Sequence, residues 1–222
     1  MARIARVVLP RAPHLITQSG NRRQPTFFQD DDYTVYLELM AEWCRRCRVQ
    51  VWAYCLMPNH VHLIAVPATE TGLARAVGEA HRRYTLRVNL REDWRGHLWQ
   101  ERFASFPMDQ AWLMRAARYV ELAPVRAKVC RAPWRYPWSS ARAHLDAADD
   151  LLVKTAPLLK RAGFDWKGFL LDPLPTDELE LIRRHQRTGR PLGSERFLIG
   201  AERTLGRILR PRKRGPKPRR RG

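Results

Sequence analysis

Two kinds of hydrophobic pattern run through the first part of the chain, and each predicts a different element. Alternating apolar and polar residues with β-branched side chains predict strands, whereas apolar residues three or four positions apart predict helices. Asp109 is a candidate N-cap for the last of these helices, and Pro124 is expected to end it. The predicted strands are 13–18, 49–57, 60–66 and 98–103, and the predicted helices are 33–47, 73–88 and 110–122.

The order of these elements predicts an α+β fold of the ferredoxin-like, split β-α-β type. We expect an antiparallel sheet with helices on one face, which leaves strand faces and a flanking helix to build a site. Pro58 and Asn59 lie between the second and third strands and are expected to turn the chain into a hairpin there.

The second part of the chain has a different character. Residues 133–144 are aromatic and rich in turn formers, so we expect them to pack across the outside of the core. Two helical patterns, 177–187 and 194–209, flank a turn that contains Gly and Pro, which is the outline of either a DNA-binding helix–turn–helix or a plain packing hairpin. We therefore divide the chain into a main domain (1–145), a helical C-terminal extension (146–210) and a basic tail (211–222) that is expected to be disordered when free.

The charge of the chain indicates a polyanionic partner. Its 222 residues include 41 Lys and Arg against 22 Asp and Glu, a formal net charge of +19. Residues 203–222 hold ten basic and no acidic side chains, so the rest of the chain still carries +9. A basic body as well as a basic tail favours nucleic acid as the partner over a merely soluble surface.

Hydropathy and cysteine content indicate an intracellular protein. No apolar stretch approaches the roughly 20 residues needed to span a bilayer, and arginines interrupt the N-terminal apolar run, so neither a membrane span nor a signal peptide is predicted. Cys44 and Cys47 form a CxxC, but they fall within a helical pattern and lack a second pair, which disfavours a zinc site. We expect a cytoplasmic, nucleoid-associated location.

His60 and His62 are the strongest candidates for chemistry. They flank Val61 in a predicted strand, so their imidazoles should point to the same face while Val61 points into the core. Such a pair is typical of a sheet-borne metal site, although paired strand histidines also occur as simple packing residues.

Several blocks of sequence carry a resemblance to one known family. They are LMPNHVHLI at 56–64, LWQERF at 98–103, YVELAPVRA at 119–127, SGNRR at 19–23 and the aromatic segment 133–144. Together these blocks are similar to the REP-associated tyrosine transposases, which belong to the single-tyrosine HUH transposase superfamily. The resemblance spans about residues 10 to 145 in consistent order.

The resemblance implies a ferredoxin-like fold and a DNA strand-transfer activity. Members cut and rejoin single-stranded DNA, often next to a hairpin, through a tyrosine that forms a 5′-phosphotyrosine link. By motif match the nucleophile is Tyr119, and His60 and His62 would hold Mg²⁺ or Mn²⁺. Single-stranded or hairpin DNA is the implied partner, and either a monomer or a homodimer is consistent with the family.

Further residues are candidates for DNA contacts. Tyr84, in a basic helical segment, is the rival nucleophile, although its family position favours packing or DNA contact. Trp99 is a possible base-stacking surface, and basic side chains are candidates for phosphate contacts. For each of them, the alternative is a solvated or packing side chain without a role in DNA binding. The candidates for DNA contact are Asn21, Arg22, Arg82, Arg83, Arg87, Trp99 and Arg126.

One position departs from the family pattern. The family usually has a polar residue, commonly Asn, four positions after the nucleophile, where it shares the tyrosine's face of the helix. Here that position is Ala123, which cannot ligate a metal, and Glu121 should point elsewhere. A catalytically impaired, hairpin-specific DNA-binding protein is therefore the alternative to an active nuclease, and an RNA-binding module is a third interpretation.

Overall fold

A single antiparallel sheet organises the molecule. The computed structural model describes residues 5–163, 165–172 and 174–210. Its four strands lie in the order β2-β3-β1-β4. Because β3 pairs with both β1 and β2, it separates them as the split β-α-β pattern requires. The strands are β1 (His14–Ser19), β2 (Val49–Met57), β3 (His60–Pro67) and β4 (Ala104–Pro107).

Nine α-helices in the described residues surround this sheet. Two long helices lie in the main domain, and the helix expected after Asp109 is present with that residue as its N-cap. The helices are α1 (Asp30–Arg46), α2 (Gly72–Arg91), α3 (Gln110–Glu121), α4 (Ala123–Arg126), α5 (Ala141–Leu145), α6 (Ala156–Leu159), α7 (Trp166–Leu171), α8 (Thr176–Thr188) and α9 (Glu195–Leu205). The prediction of an α+β fold with an antiparallel sheet is confirmed.

The expectation of helices on one face only is wrong, because the two faces of the sheet are covered by different helices. On one face α1 and α2 pack against alternate strand residues such as Ile16, Val61 and Leu63. On the other face α3 packs against Leu15 and Ile64, the neighbours of those residues along the strands. The alternation of side chains along β1 and β3 therefore separates a purely structural face from the face on which α3 lies.

The C-terminal extension shares the core of the second face. Leu158, Trp166, Ile182 and Leu192 are buried in the same cluster as the apolar side of α3. Leu192 also forms a parallel bridge with Met108, immediately after β4. The two predicted C-terminal helices are present as α8 and α9, and α8 contacts β1, β4 and α3.

One predicted strand is wrong. Residues 98–103 form no strand, and the fourth strand begins at Ala104, where it pairs with Thr17 of β1. Trp99 makes only an isolated bridge with Gly20. Leu98, Trp99 and Phe103 are buried in the core cluster beneath α1 and α2, so their apolar character reflects packing across the end of β1 and not pairing along it.

Two other expectations can be placed in the structure. Within the described residues no helix is long and apolar enough to cross a membrane. Cys44 and Cys47 are buried free thiols at the end of α1 and belong to no metal-binding cluster of the described residues. The basic tail at 211–222 lies outside the described residues.

Candidate active site

The two histidines lie on the α3 face of the sheet. His60 and His62 pair with Ser19 and Thr17 of β1, and their ring centroids are 4.9 Å apart. Val61, between them, is fully buried in the opposite core. The strand thus places two imidazoles side by side, as their spacing predicts.

Each imidazole has an oxygen partner at one nitrogen. Nδ1 of His60 lies 2.7 Å from Oδ1 of Asn59, and Nδ1 of His62 lies 3.0 Å from Oγ1 of Thr17. No described residue is hydrogen-bonded to Nε2 of either ring. An oxygen partner on Nδ1 fixes the orientation of an imidazole and leaves Nε2 as the ligating atom, which is the usual arrangement at metal sites.

Both histidines are held in the neutral form. Burial, with a smaller contribution from the positive charge of Arg126, lowers the pKa of His60 from 6.5 to about 4. Burial likewise lowers the pKa of His62 well below its ordinary value, and His60 and Arg126 lower it further. A neutral imidazole is the form that ligates a metal.

Tyr119 comes from α3 and lies against the histidine pair. Its ring is edge-on to that of His62, with the centroids 5.3 Å apart. The side chain is largely buried, and its hydroxyl is 3.5 Å from Oε1 of Gln186. The Asp109 N-cap fixes the start of α3, because its carboxylate accepts a hydrogen bond of 3.1 Å from the backbone N–H of Trp112.

Arg126 also lies against Tyr119. Its guanidinium carbon lies 4.2 Å from the centroid of the tyrosine ring, a distance typical of a cation–π contact. Burial lowers the pKa of Arg126, although the tyrosine side chain opposes this effect. Its Nη1 is buried without a hydrogen-bond partner among the described residues. A partly buried guanidinium with an unused, buried donor atom is suited to an anion such as a phosphate.

The residues present fit a divalent ion held by two protein ligands. No group of three or more His, Cys, Asp or Glu side chains in the described residues is placed to hold a metal. Two imidazole nitrogens suit a transition ion such as Mn²⁺ better than Mg²⁺, which prefers oxygen ligands. The other coordination positions would be left to water and to oxygens of a bound phosphate.

Neither Ala123 nor Glu121 adds a ligand. Ala123 is buried at the start of α4. The Glu121 carboxylate is buried away from the histidines, where it accepts hydrogen bonds from Ser140, His144 and Trp166. The expectation that Glu121 points elsewhere therefore agrees with the structure.

The rival tyrosine lies in the core. Tyr84 lies on the buried face of α2, packed against α1 and the sheet, and its hydroxyl donates a hydrogen bond of 2.6 Å to the backbone carbonyl of Thr26. Burial raises the pKa of Tyr84, which opposes its ionisation. These surroundings fit a packing role.

The other candidates for DNA contact are dispersed. Arg82 and Arg83 lie on α2, on the opposite side of the sheet from Tyr119, and both are close to Glu79. Trp99 is buried and stacks on His81, with centroids 4.5 Å apart, so its indole is a core side chain in this structure.

Asn21 and Arg22 lie nearer the site. They follow β1, and the backbone N–H of Gly20 donates a 2.8 Å hydrogen bond to the carbonyl of Asn59, next to His60. Arg22 is exposed.

Two residues of the site carry no sequence signal of their own. Thr17 is one of several polar residues in β1, and Gln186 lies in α8, far from the motif blocks. The signal for Thr17 would have been its register opposite His62, which requires the pairing of β1 with β3. No local pattern could have identified Gln186, since its place depends on how α8 packs.

Comparisons with known proteins identify a family and a similar fold. The family model described as "Transposase IS200 like" matches residues 11–122, about half of the chain. A solved structure of a REP-associated tyrosine transposase bound to a REP hairpin is similar, with a TM-score of 0.58 at 16% identity, over 68% of this chain and 90% of that chain. A Deinococcus radiodurans R1 protein assigned as a transposase aligns with a TM-score of 0.38 at 16% identity, over 54% of this chain and 96% of that one. No curated protein matches the chain.

Proposed function

The chain belongs to the family of IS200-like transposases, and on that premise we propose that it cuts and rejoins single-stranded DNA through Tyr119. The observation that carries this proposal is the contact of Tyr119 with His62, whose ring centroids are 5.3 Å apart. This contact supports the proposal because it brings a candidate nucleophile next to candidate metal ligands on one face of the sheet.

The proposed reaction exchanges one phosphodiester for another. The Tyr119 oxygen forms a bond to phosphorus and loses its proton to solvent, while the bond from phosphorus to the 3′ oxygen breaks and that oxygen takes up a proton. The product is a 5′-phosphotyrosine link and a free 3′-OH, so the reverse attack rejoins the strand without external energy.

Arg126 has two tasks in this proposal. Its guanidinium, beside the Tyr119 ring, stabilises negative charge that develops on the phenolic oxygen. The unused Nη1 donor is available to an oxygen of the scissile phosphate. A preorganised cation in a buried site is effective because it needs no reorganisation during the reaction.

His60 and His62 would hold the divalent ion through Nε2. When bound, such an ion polarises the scissile phosphate and offsets the charge of the transition state. The part of the protein is to hold both rings neutral and oriented, through burial and through the oxygens on their Nδ1 atoms.

We also propose that the DNA partner is a strand adjoining a hairpin. The basic chain supplies general phosphate attraction, and the structurally similar REP-associated transposase is bound to a REP hairpin. Asn21 and Arg22 are suitable contacts, since their segment adjoins the turn before His60. Because Tyr119 and both histidines meet within one chain, a single copy suffices for cleavage.

The experiment is a cleavage assay on end-labelled hairpin oligonucleotides. Wild-type protein should release a fragment ending in 3′-OH with Mn²⁺ and none with EDTA, and His62→Gln should bind the hairpin but not cut it. Cutting that persists at the wild-type rate in EDTA or in His62→Gln would contradict the metal-dependent mechanism.

A second candidate function is hairpin binding without cleavage. It is favoured by Ala123 and by the two-ligand site. In that case hairpin affinity should survive EDTA and loss of both histidines, and no cleaved fragment should form with any divalent ion.

A further inference from the structure

Helix α8 of the C-terminal extension reaches the candidate active site. Its residue Gln186 is partly buried and places both atoms of its carboxamide among site residues. Nε2 donates a hydrogen bond of 2.9 Å to Oγ1 of Thr17, and Oε1 lies 3.5 Å from the Tyr119 hydroxyl. One side chain from outside the matched family segment, 11–122, therefore touches the nucleophile.

The contact with Thr17 continues to a candidate metal ligand. Oγ1 of Thr17 also lies 3.0 Å from Nδ1 of His62. A hydroxyl has one proton and two acceptor positions, so it can hold both partners at once. The hydrogen-bonded chain Gln186–Thr17–His62 thus fixes the imidazole through its Nδ1, and Oε1 of the same carboxamide lies 3.5 Å from the Tyr119 hydroxyl.

Packing holds α8 in this position. Ile182, one turn before Gln186, is fully buried in the core that contains α3. The carboxylate of Glu178 on α8 accepts a 2.5 Å hydrogen bond from Arg115 of α3. At the other end, Nδ1 of His185 lies 2.8 Å from the carbonyl of Arg190, just past the helix. The packing and hydrogen bonds of α8 therefore determine the position of Gln186.

We propose that Gln186 is a positioning residue of the active site, which orients the Tyr119 hydroxyl directly and the His62 imidazole through Thr17. This inference rests on the proposed function. Gln186 supplies a carboxamide to the site, whereas Ala123, one helical turn after Tyr119, has no polar group. The C-terminal extension is then required for catalysis as well as for stability.

The test compares Gln186→Met with wild type and with Glu180→Gln. Methionine keeps the length of the side chain but forms neither hydrogen bond, whereas Glu180 lies on the exposed surface of the same helix and serves as the control. Two quantities are measured: the affinity for Mn²⁺ without DNA, by electron paramagnetic resonance, and the single-turnover rate of covalent adduct formation. Thr17→Val and the double variant complete a cycle.

We expect Gln186→Met to weaken Mn²⁺ binding about 10-fold and to slow adduct formation by about 10- to 100-fold, as loss of groups that orient ligands does elsewhere. Thr17→Val should weaken Mn²⁺ binding similarly, and the double variant should be no weaker than the worse single variant. Glu180→Gln should match wild type in both measurements.

The inference and the proposed function fail in different ways. If Gln186→Met retains wild-type Mn²⁺ affinity and adduct rate, or if the two single effects on Mn²⁺ simply multiply, the positioning role is wrong while the nuclease stands. If wild type forms no adduct but its Mn²⁺ affinity still depends on Gln186, the nuclease proposal fails and the Gln186–Thr17–His62 chain stands.

Discussion

Arg126 is a partly buried arginine whose position is difficult to explain by stability alone. Its Nη1 has no hydrogen-bond partner among the described residues, and a buried charge without full pairing is unfavourable. The same side chain lies 4.2 Å from the ring of Tyr119 and close enough to the histidines to lower the pKa of both. A cation kept there at a cost to folding is typical of a site prepared for an anion.

Replacement of Arg126 by Gln should therefore separate activity from stability. We expect adduct formation to slow by about 100-fold, as happens when one preorganised donor to a transition state is removed. The free energy of unfolding should fall by no more than about 1 kcal/mol, since an incompletely paired buried charge is removed. Single-turnover kinetics and urea denaturation measure the two effects.

Arg45→Gln is the matched control for this variant. Arg45 is exposed at the end of α1, which packs on the other face of the sheet. Unaltered adduct kinetics in Arg126→Gln, or an equal loss of rate in Arg45→Gln, would show that general basicity and not this guanidinium matters.

The residues of the site differ in how far the sequence could reveal them. His60 and His62 follow from strand alternation alone, and Tyr119 from the motif that it begins. Gln186 and Thr17 could not be predicted, because they meet only when α8 packs beside β1, 169 residues apart in sequence. Trp99 has an aromatic side chain of the kind that stacks on bases, but its ring packs in the core next to His81.

At the scale of elements, α3 is anchored by a buried carboxylate at its C-terminal end. The two oxygens of Glu121 accept hydrogen bonds from Ser140, His144 and Trp166, at 2.5, 2.7 and 2.7 Å. These partners come from the segment before α5, from α5 itself and from α7. Glu121 therefore ties the helix that carries Tyr119 to the elements that follow it.

Loss of this anchor should be among the most destabilising single changes. We expect Glu121→Ala to lower the free energy of unfolding by about 3 to 5 kcal/mol, because it leaves buried polar partners without an acceptor. Glu121→Gln should cost less, since the amide oxygen still accepts. Urea denaturation measures both variants, with Glu180→Ala on an exposed surface as the control. The anchoring role would be contradicted if both Glu121 variants unfolded at the same urea concentration as wild type and the control.

The N-terminus of α1 gives a prediction on pH. Burial alone would raise the pKa of Asp32, but hydrogen bonds from Arg91 and from the backbone N–H groups of Phe28 and Gln29 outweigh it, and the pKa is lowered. A carboxyl group with a lowered folded pKa stabilises the protein above its unfolded pKa, about 3.9, and this contribution disappears as pH falls through the folded pKa.

Asp32→Asn should therefore be less stable than wild type at pH 7 by about 1 to 2 kcal/mol, because the neutral amide loses the ion pair with Arg91 and accepts weaker hydrogen bonds from the backbone N–H groups. The difference between the two proteins should shrink as the pH is lowered towards 3. Thermal unfolding at both pH values measures it, and a difference that stayed constant or grew in acid would contradict this assignment.

The elements themselves were largely predictable, with one informative exception. The strand β3, the helix after Asp109 and the end of that helix before Pro124 follow from local patterns. The prediction of a strand at 98–103 is wrong because a short segment with apolar residues has the same sequence pattern whether it forms a strand or packs into the core without one. Only the packing of Trp99 and Phe103 against α2 and the end of β1 distinguishes the two cases.

For the whole molecule, the charge of the chain continues into the tail at 211–222, which lies outside the described residues. This segment holds seven Lys and Arg and no acidic residue. Removal of the tail should weaken hairpin binding for all sequences alike, because those charges meet phosphate and displace counterions. The slope of log affinity against log salt should become shallower by about 0.7 to 0.9 for each phosphate that the shortened chain no longer neutralises.

Fluorescence anisotropy over a range of salt concentrations, with the full chain and with residues 1–210, measures this slope. Removal of the tail with no change in slope would show that residues 1–210, with their formal charge of +12, neutralise the phosphates alone.

The central claim is that Tyr119 becomes covalently linked to DNA, and the most direct measurement identifies the modified residue. Wild type, Tyr119→Phe and Tyr84→Phe would be incubated with hairpin oligonucleotides and Mn²⁺, and trapped adducts digested and mapped by mass spectrometry. We predict a nucleotide mass on the peptide containing Tyr119, in wild type and in Tyr84→Phe, and none in Tyr119→Phe. An adduct that persists undiminished in Tyr119→Phe, or that maps to another residue, would contradict the account.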